Sequence, residues 1–465
     1  MRLHIFLSIG IFVIVIKLIV KNVGKILEKV FDKEKLTSGD KNNSRYARYS
    51  KIIEVLKKYS KTRMGYPYTG PIRGYYTEDG WIKDDKYGDM LIDNNVLGIV
   101  PESIAATYIN NSGSPYSKSI IIQRDVKEIE VEIIKILENF FKCKQGSLRG
   151  YITSGSTEGT LSCLWWLREE LRDYKDENII LLTSDQSHYS IRKSANILGL
   201  STQLVKSNKR GEISLADLRG KIVDLVSKNS SKIILSLNVG TTVLGGIDDI
   251  ISIFEMVKDL NLKHSFIYRI HTDAAILGPV IPLLKPFKEY KIFDYTDSLI
   301  FSGHKILGTT LASGIALVKD KIWENCFKNH DIGVSYIPGI EDKTIPGSRS
   351  GYNVIEFHNA LYSLDLDSDA GRLKKLVNTY LKNCNYLVNK LKPILAENEV
   401  FYNENQFNVI FKSPGINKYT ISFLKKYGLM QIEKGKLGVC VLANVDKKLI
   451  DSFVDEYKKI IYELR

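Results

Sequence analysis

The sequence has few of the residues that mark secreted, metal-binding or disordered proteins. Its five cysteines lie far apart, are odd in number and form no CxxC pair. This arrangement argues against a disulfide framework and a structural metal site, and it fits a reducing compartment. The chain also lacks low-complexity tracts and internal repeats. With 44% hydrophobic and 26% charged residues, its composition is that of a globular protein.

Negative charge is in deficit, because 66 Lys and Arg residues stand against 53 Asp and Glu residues and give a formal charge of +13. A basic excess can indicate binding to nucleic acid or to an anionic membrane. The lysines are nevertheless spread along the whole chain, and no zinc-finger spacing or aromatic RNA-binding signature accompanies them. We therefore predict no nucleic-acid partner.

One long apolar run stands near the N-terminus, at residues 4–20 (HIFLSIGIFVIVIKLIV). From Lys17 to Lys29 every fourth residue is lysine, so these charges share one helical face. A span needs about 20 apolar residues, which leaves two interpretations for residues 4–30: a single-span anchor, or an interfacial helix on anionic lipid. Because the positive charge follows the run, the bulk of the chain is expected in the cytoplasm, anchored to the membrane or not.

The pattern of the chain predicts four regions. Residues 1–35 form the hydrophobic and basic helix, and residues 45–110 form an N-terminal segment that contains Gly-, Pro- and Tyr-rich loops. Residues 111–345 alternate helical patterns with short apolar runs, which predicts an α/β domain with a mostly parallel sheet covered on both faces. Residues 346–465 combine helical stretches with alternating runs, which predicts a smaller α+β domain. The apolar runs of the α/β domain lie at 179–184, 232–238, 265–273, 298–303 and 313–319.

Three motifs with small or polar residues occur around the strands, where ligands bind in open α/β sheets. In TSGSTEGT (153–160), Ser156 and Thr157 offer hydroxyls and amides that suit a phosphate at a helix N-terminus, although the same pattern forms a helix-capping box. His188 follows the run 179–184, as a structural histidine or as a ring that stacks on a heteroaromatic group. Thr241 lies in what is by itself only a polar turn.

Two further motifs carry charge at strand ends. Asp273 of HTDAA needs a partner if it is buried; a protonated pyridine nitrogen would serve, and Ala275 would let a planar ring approach, whereas a helix N-cap is the alternative. Lys305 of SGHK follows Ser302 and His304. A desolvated lysine there has the lowered pKa that suits Schiff-base chemistry, whereas a lone lysine is usually solvated.

In their order and spacing these five motifs resemble the fold-type-I enzymes that depend on pyridoxal 5′-phosphate (PLP), specifically the group II amino-acid decarboxylases. The resemblance is closest to the branch of histidine decarboxylases and plant serine decarboxylases. It includes INNSGSPY (109–116) and GSRSGYN (347–353) and covers about residues 60–460. It implies a fold-type-I PLP-dependent transferase-like large domain and a smaller C-terminal domain.

The resemblance also implies residue roles. Lys305 would hold the cofactor as a Schiff base, Asp273 would pair with the pyridinium nitrogen, and His188 and Ala275 would pack on the two faces of the ring. A homodimer with active sites at its interface is expected. The further cofactor-binding residues are Ser156, Thr157, Ser302 and His304 around the phosphate, Thr241, and Ser348, which would reach the neighbouring subunit's phosphate.

The expected reaction is decarboxylation of an L-amino acid of the histidine, serine or aromatic type to the amine and CO₂. Thr160, Ser114 and the stretch 309–313 depart from the usual pattern of the branch and leave the substrate open. Two alternatives share the same features. One is an aldehyde lyase of the sphingosine-phosphate lyase type, and the other is a non-catalytic, membrane-tethered decarboxylase homologue.

Overall fold

A computed structural model describes residues 75–77, 80–82, 109–118, 125–172, 178–228, 232–328, 330, 332–415, 418–433 and 435–463. These residues belong to one compact unit, Arg63–Arg465. The predicted hydrophobic helix at 1–35 and most of the segment 45–110 lie outside them. Within the ranges just given, no helix is both long enough and apolar enough to cross a bilayer. The predicted domain boundaries at 110/111 and 345/346 stay predictions.

The described secondary structure alternates strands and helices over most of its length. The strands are β1 (Tyr75–Thr77), β2 (Gly80–Ile82), β3 (Asn110–Ser112), β4 (Leu148–Thr153), β5 (Ile179–Ser184), β6 (Ser201–Val205), β7 (Lys232–Asn238), β8 (Ile267–Asp273), β9 (Ser298–Ser302), β10 (Gly314–Lys319), β11 (Ser348–Ser350), β12 (Val400–Tyr402), β13 (Asn408–Lys412), β14 (Met430–Glu433) and β15 (Lys436–Cys440). The helices are α1 (Lys127–Phe140), α2 (Ser156–Arg172), α3 (Tyr189–Ile197), α4 (Leu215–Ser227), α5 (Ile250–His264), α6 (Asp320–Asn325), α7 (Gly351–Ser363), α8 (Gly371–Leu391), α9 (Lys418–Tyr427) and α10 (Lys447–Glu463).

A seven-stranded sheet in the order β4-β10-β9-β8-β7-β5-β6 forms the centre of the larger part. Strands β9, β8, β7, β5 and β6 pair in parallel, and β10 is antiparallel to both of its neighbours, β9 and β4. The predicted mostly parallel sheet is therefore confirmed, and the five apolar runs are β5, β7, β8, β9 and β10. Because β4 runs in the same direction as β9, the carboxyl ends of six strands meet at one edge of the sheet.

The sheet is buried on both faces because successive side chains of a strand point to opposite sides. On β7, Ile234 packs into a cluster with Trp166 of α2, whereas its neighbour Leu235 packs into the other large cluster, with Leu137 of α1 and Phe357 of α7. Every residue of β5 and β7 is buried. A strand buried on both faces reads as a continuous apolar run, which is why these two were predictable.

The C-terminal part contains an antiparallel sheet in the order β12-β13-β15-β14. Its apolar side chains pack against α8, α9 and α10 in a separate cluster that includes Leu387, Phe411, Phe423 and Phe453. This is the α+β arrangement expected for the chain end. Cys440, the last residue of β15, belongs instead to the core cluster of the larger part. The end of the C-terminal sheet that carries Cys440 therefore packs against the larger part.

Two short strands far apart in the sequence, β3 and β11, pair in antiparallel register. Arg349 of β11 is buried and forms an ion pair with Glu130 of α1, which is fully buried. The same carboxylate accepts a hydrogen bond from Asn111 at 3.0 Å and one from the Ile152 N–H of β4 at 2.7 Å. One buried carboxylate thus joins α1, β3, β4 and β11.

Candidate active site

A cavity of about 390 Å³ lies at the carboxyl-terminal edge of the seven-stranded sheet. Strands β4, β5, β7, β8 and β9 each end in a loop that contributes to its wall. Nine of the ten predicted site residues line this cavity: Ser156, Thr157, His188, Thr241, Asp273, Ala275, Ser302, His304 and Lys305. The tenth, Ser348, does not.

The turn between β4 and α2 forms one side of the cavity. The hydroxyls of Ser156 and Ser302 are 2.6 Å apart, so the α2 N-terminus and the end of β9 are joined by a hydrogen bond. In the first turn of α2, the Glu158 carboxylate accepts a hydrogen bond from the Ser154 N–H at 2.9 Å. The turn therefore has a capping hydrogen bond and also places hydroxyl groups at the positive end of a 17-residue helix.

Asp273 ends β8 at the floor of the cavity and is buried, with 7% of its surface exposed. Its Oδ1 accepts a hydrogen bond from the Ala275 N–H at 3.0 Å. The carboxylate is therefore fixed by the turn after β8. It is not a helix N-cap, because the next helical segment begins at Gly278 with Leu277 at its N-cap. It also lines the cavity beside Lys305 and His188. A buried carboxylate in this position favours a cationic partner.

His188 caps the N-terminus of α3 through its ring. The Ser190 N–H donates to Nδ1 at 3.3 Å, so the hydrogen of the neutral ring lies on Nε2. Burial lowers the pKa of His188, while Asp273 opposes this shift and Lys305 adds to it. The structural and the functional interpretations of this histidine are thus compatible, because the capped ring still lines the cavity.

Lys305 lies in a single π-helical turn, Gly303–Leu307, that follows β9. Burial lowers the pKa of the Lys305 ammonium, and the nearby Asp273 carboxylate opposes the shift. The turn packs tightly, because a Cβ atom on Gly303 would stand 2.4 Å from the Ser313 hydroxyl. Gly303, two residues before the lysine, thus lets the backbone of the turn pack closely against Ser313. This close packing allows Lys305 to line the cavity.

His304 is partly buried beside Lys305 and interacts with the strand that follows. Its Nδ1 lies 3.3 Å from the Ser313 N–H nitrogen and 3.0 Å from the Ser313 carbonyl, with which it forms a hydrogen bond in the Nδ1–H tautomer. Burial lowers the pKa of His304, and this hydrogen bond opposes the shift.

The turn after β7 carries Thr241, which is buried. Gly240 has φ +95°, a left-handed conformation that favours glycine. The Thr241 hydroxyl accepts the Gly246 N–H at 2.7 Å and closes the turn. Thr241 therefore lies at the cavity edge on a turn that is closed by its own internal hydrogen bonds. The sequence pattern GTTVLGG did not by itself show these hydrogen bonds.

Sequence reasoning missed two cavity-lining residues of the C-terminal sheet, Asn408 and Cys440. They are direct cross-strand partners on β13 and β15. Cys440 lies close enough to Lys305 for each group to shift the pKa of the other, and burial raises the pKa of the Cys440 thiol to about 12. Both residues lie in runs predicted to be strands, but nothing in those runs shows which end meets the larger part.

Ser348 lies on β11, exposed, away from the cavity. Its hydroxyl accepts a hydrogen bond from Asn110 Nδ2 at 3.1 Å. The next residue, Arg349, is the buried member of the ion pair with Glu130. Ser348 is thus presented on the surface by a firmly anchored strand.

A lysine of lowered pKa, a buried carboxylate, a ring and a hydroxyl-rich helix N-terminus define a class of enzyme that holds an aldehyde cofactor with a phosphate group. The family model described as pyridoxal-dependent decarboxylase conserved domain matches residues 97–413. The chain belongs to this family. Its cofactor is pyridoxal 5′-phosphate, and it is a carboxy-lyase.

Individual relatives agree with this assignment. Histidine decarboxylase of Solanum lycopersicum is 30% identical over 346 residues, 74% of this chain and 78% of that protein. Histidine decarboxylase of Morganella morganii is 31% identical over 287 residues, 62% of this chain and 71% of that protein. Among solved structures, L-methionine decarboxylase of Streptomyces sp. 590 has a TM-score of 0.74 at 18% identity, covering 93% of this chain and 99% of that chain, which shows a shared fold.

Proposed function

We propose that the chain decarboxylates an L-amino acid with an uncharged or imidazole side chain, and that Lys305, Asp273 and His188 carry the reaction. The observation that supports this most is the single cavity that these three residues line together. They come from the ends of three different strands, β9, β8 and β5, and such convergence of titratable groups in one cavity is typical of a catalytic site.

The residues around the cavity fit pyridoxal 5′-phosphate by their chemistry. Ser156, Thr157 and Ser302 supply hydroxyls beside the positive end of α2, which suits a phosphate. Asp273 supplies a buried carboxylate for a ring nitrogen, and among the lining residues of the described chain Lys305 alone carries an amine. When bound, the cofactor supplies an electron sink for the electron pair left by departing CO₂.

Each of the cavity residues contributes a separate effect. The lowered pKa of Lys305 increases the fraction of neutral amine, the form that would hold the cofactor. Asp273 would pair with the ring nitrogen and keep its proton there, and the hydrogen bond from the Ala275 N–H orients the carboxylate. His188 carries its hydrogen on Nε2 in the neutral form, and its ring would pack on one face of the cofactor ring. Thr241 and Ala275 limit the space that remains.

The lining charges support a substrate with an uncharged or imidazole side chain. Within the described wall of the cavity no arginine is present, and the groups that can carry a positive charge are limited to Lys305 and the two histidines, His188 and His304. An acidic side chain would therefore lack a dedicated counter-charge. The two histidine decarboxylases among the relatives support the same substrate class.

The same composition disfavours the aldehyde-lyase alternative. A phosphorylated long-chain base would bring a second phosphate into a cavity whose described lining offers no additional arginine or lysine for it. The non-catalytic alternative is disfavoured because Lys305, Asp273 and His188 are all retained at the cavity, with the pKa of Lys305 lowered.

The test is an assay of the purified chain with PLP and each of the twenty amino acids, in which amine and CO₂ are measured. We expect release from histidine, serine or an aromatic amino acid, and none from aspartate or glutamate. Incubation with a phosphorylated long-chain base should give no aldehyde. Aldehyde from that compound, or no amine from any amino acid, would contradict the proposed function.

A further inference from the structure

The turn after β7 is held on both sides of its tip by the C-terminal part of the chain. Inside the turn, the N–H groups of Gly240 and Thr241 donate to the Gly246 carbonyl at 3.0 and 2.9 Å. The carbonyls at the tip have partners from elsewhere. Asn408 Nδ2 donates to the Thr242 carbonyl at 3.1 Å, and Asn403 Nδ2 donates to the Leu244 carbonyl at 3.1 Å.

Asn408 differs from Asn403 because it also lines the cavity. It begins β13 and stands opposite Cys440 in the register of the C-terminal sheet. Cys440 is buried and interacts electrostatically with Lys305. The hydrogen bond from Asn408 is therefore made at the wall that faces the reacting amine.

Loss of this hydrogen bond would affect the shape of the cavity. A carbonyl that loses a donor in a partly buried site must find another partner or move toward solvent. Thr241 and Thr242 both line the cavity, so a movement of the Thr242 carbonyl would displace an edge of the binding site while the core of the C-terminal sheet stays intact.

We propose that Asn408 is a positioning residue through which the C-terminal sheet fixes the Thr241–Thr242 edge of the cavity and so sets its width beside Lys305. This role rests on the proposed function of the cavity and adds a residue to it. Asn408 acts through the turn and takes no part in bond making or breaking.

The chain offers a matched control for a purely structural role. Asn383 of α8 is buried, and its amide donates to the Val445 carbonyl at 2.9 Å. This is the same kind of hydrogen bond, but it lies within the C-terminal part, and Asn383 does not line the cavity. Asn408→Leu and Asn383→Leu each remove one amide donor and keep the same branched skeleton of side-chain heavy atoms.

The experiment measures KM and kcat of the full-length variants, the PLP concentration for half-saturation by absorbance, and the melting temperature. For Asn408→Leu we expect KM and half-saturating PLP to rise roughly tenfold, the effect of about one hydrogen bond, with a smaller change in kcat. Asn383→Leu should lower the melting temperature by about as much as Asn408→Leu does. It should leave KM and the half-saturating PLP concentration unchanged. Unchanged values in Asn408→Leu, or equal rises in both variants, would overturn the proposal.

If Asn408→Leu does not fold, Asn408→Asp tests the same point. Its carboxyl group can donate to the Thr242 carbonyl only when protonated, so the ratio of its KM to the parent KM should fall as the pH is lowered; a ratio independent of pH would overturn the proposal. The PLP titration needs no turnover. It therefore tests Asn408 separately from the decarboxylase assay, whose failure would count against the proposed function.

Discussion

At the scale of single residues, the site depends on groups whose pKa values are changed by burial. Lys305, His188 and His304 all have lowered pKa values because they are desolvated at the cavity. Lowered values favour neutral nitrogen atoms, which is what a nucleophilic amine requires. Burial raises the pKa of the Cys440 thiol, which keeps the thiol neutral. The thiol beside Lys305 thus adds no charge to the cavity.

Lys305→Ala should abolish turnover and leave the fold intact. Removal of the amine takes away the group that holds the cofactor, so we expect amine release below about one ten-thousandth of the parent rate. Circular dichroism should be unchanged. Lys321→Ala, at an exposed lysine, is the control and should retain the parent rate. A Lys305→Ala variant that decarboxylates at the parent rate would refute the assignment.

His271 of β8 should make stability depend on pH. It is fully buried, with Nδ1 2.9 Å from the Ser298 hydroxyl, and burial lowers its pKa to about 3. Between that value and the ordinary value near 6.5, the unfolded chain binds a proton that the folded chain does not. This group's contribution to the free energy of unfolding is therefore complete above the ordinary value and is lost by about 1.4 kcal/mol per pH unit as the pH falls toward 3.

Urea unfolding between pH 6 and 4 measures this contribution. We expect His271→Asn to have a shallower dependence of unfolding free energy on pH than the parent, whatever its absolute stability. Asp248, whose pKa burial raises to about 6, acts in the opposite direction but is present in both proteins. The exposed His264→Asn should keep the parent slope. Equal slopes in parent and His271→Asn would show that His271 is protonated in the folded state.

At the scale of elements, the buried Arg349–Glu130 pair joins strand β11 to helix α1, which is distant in the sequence. Because removal of one partner leaves an unpaired buried charge, Arg349→Met should lower the free energy of unfolding by about 3–5 kcal/mol. The double variant Glu130→Gln with Arg349→Met removes both charges and should recover a large part of this loss.

Arg372→Met is the control for the buried pair, because the ion pair between Arg372 and Asp365 is partly exposed at 3.5 Å. We expect it to cost less than about 1 kcal/mol. Denaturant unfolding of the four proteins decides the matter. A double variant as unstable as Arg349→Met would mean that lost packing, and not the unpaired carboxylate, causes the destabilisation.

At the scale of the whole molecule, we propose that two chains associate and that Ser348 acts in the neighbouring subunit. Ser348 is exposed and lies off the cavity of its own chain. Ser348→Glu would place a negative charge against the neighbour's phosphate, so its homodimer should be inactive, as should that of Lys305→Ala. Co-expression of the two should restore activity through one intact site per heterodimer. A heterodimer without activity would show that Ser348 acts in its own subunit or not at all.

The N-terminal run is a second whole-molecule question, and it lies outside the described residues. From its sequence we propose that residues 4–30 bind membranes. The full-length chain should float with vesicles that contain anionic lipid, and exchange of the lysines from Lys17 to Lys29 for glutamate should release an interfacial helix. Flotation that persists in this variant and in high salt would indicate a span. Absence of flotation in the parent would refute membrane binding.

Much of the fold could be predicted from local sequence. The runs at 179–184 and 232–238 coincide with β5 and β7, because a strand buried on both faces is continuously apolar. Short β6 was not predicted, since most of its residues are exposed or partly exposed and carry no clear pattern. The strand pair β3–β11 was also missed, because each strand has only three residues and the two are distant in the sequence.

The sequence by itself determined the order of the motifs and the chemistry of Asp273 and Lys305, because each follows an apolar strand whose end is encoded locally. Only the tertiary structure decided that the C-terminal sheet turns Asn408 and Cys440 toward the same cavity, and that Ser348 lies away from it. The physical reason is that strand formation depends on neighbouring residues, whereas the packing of one sheet end against another depends on contacts between distant parts of the chain.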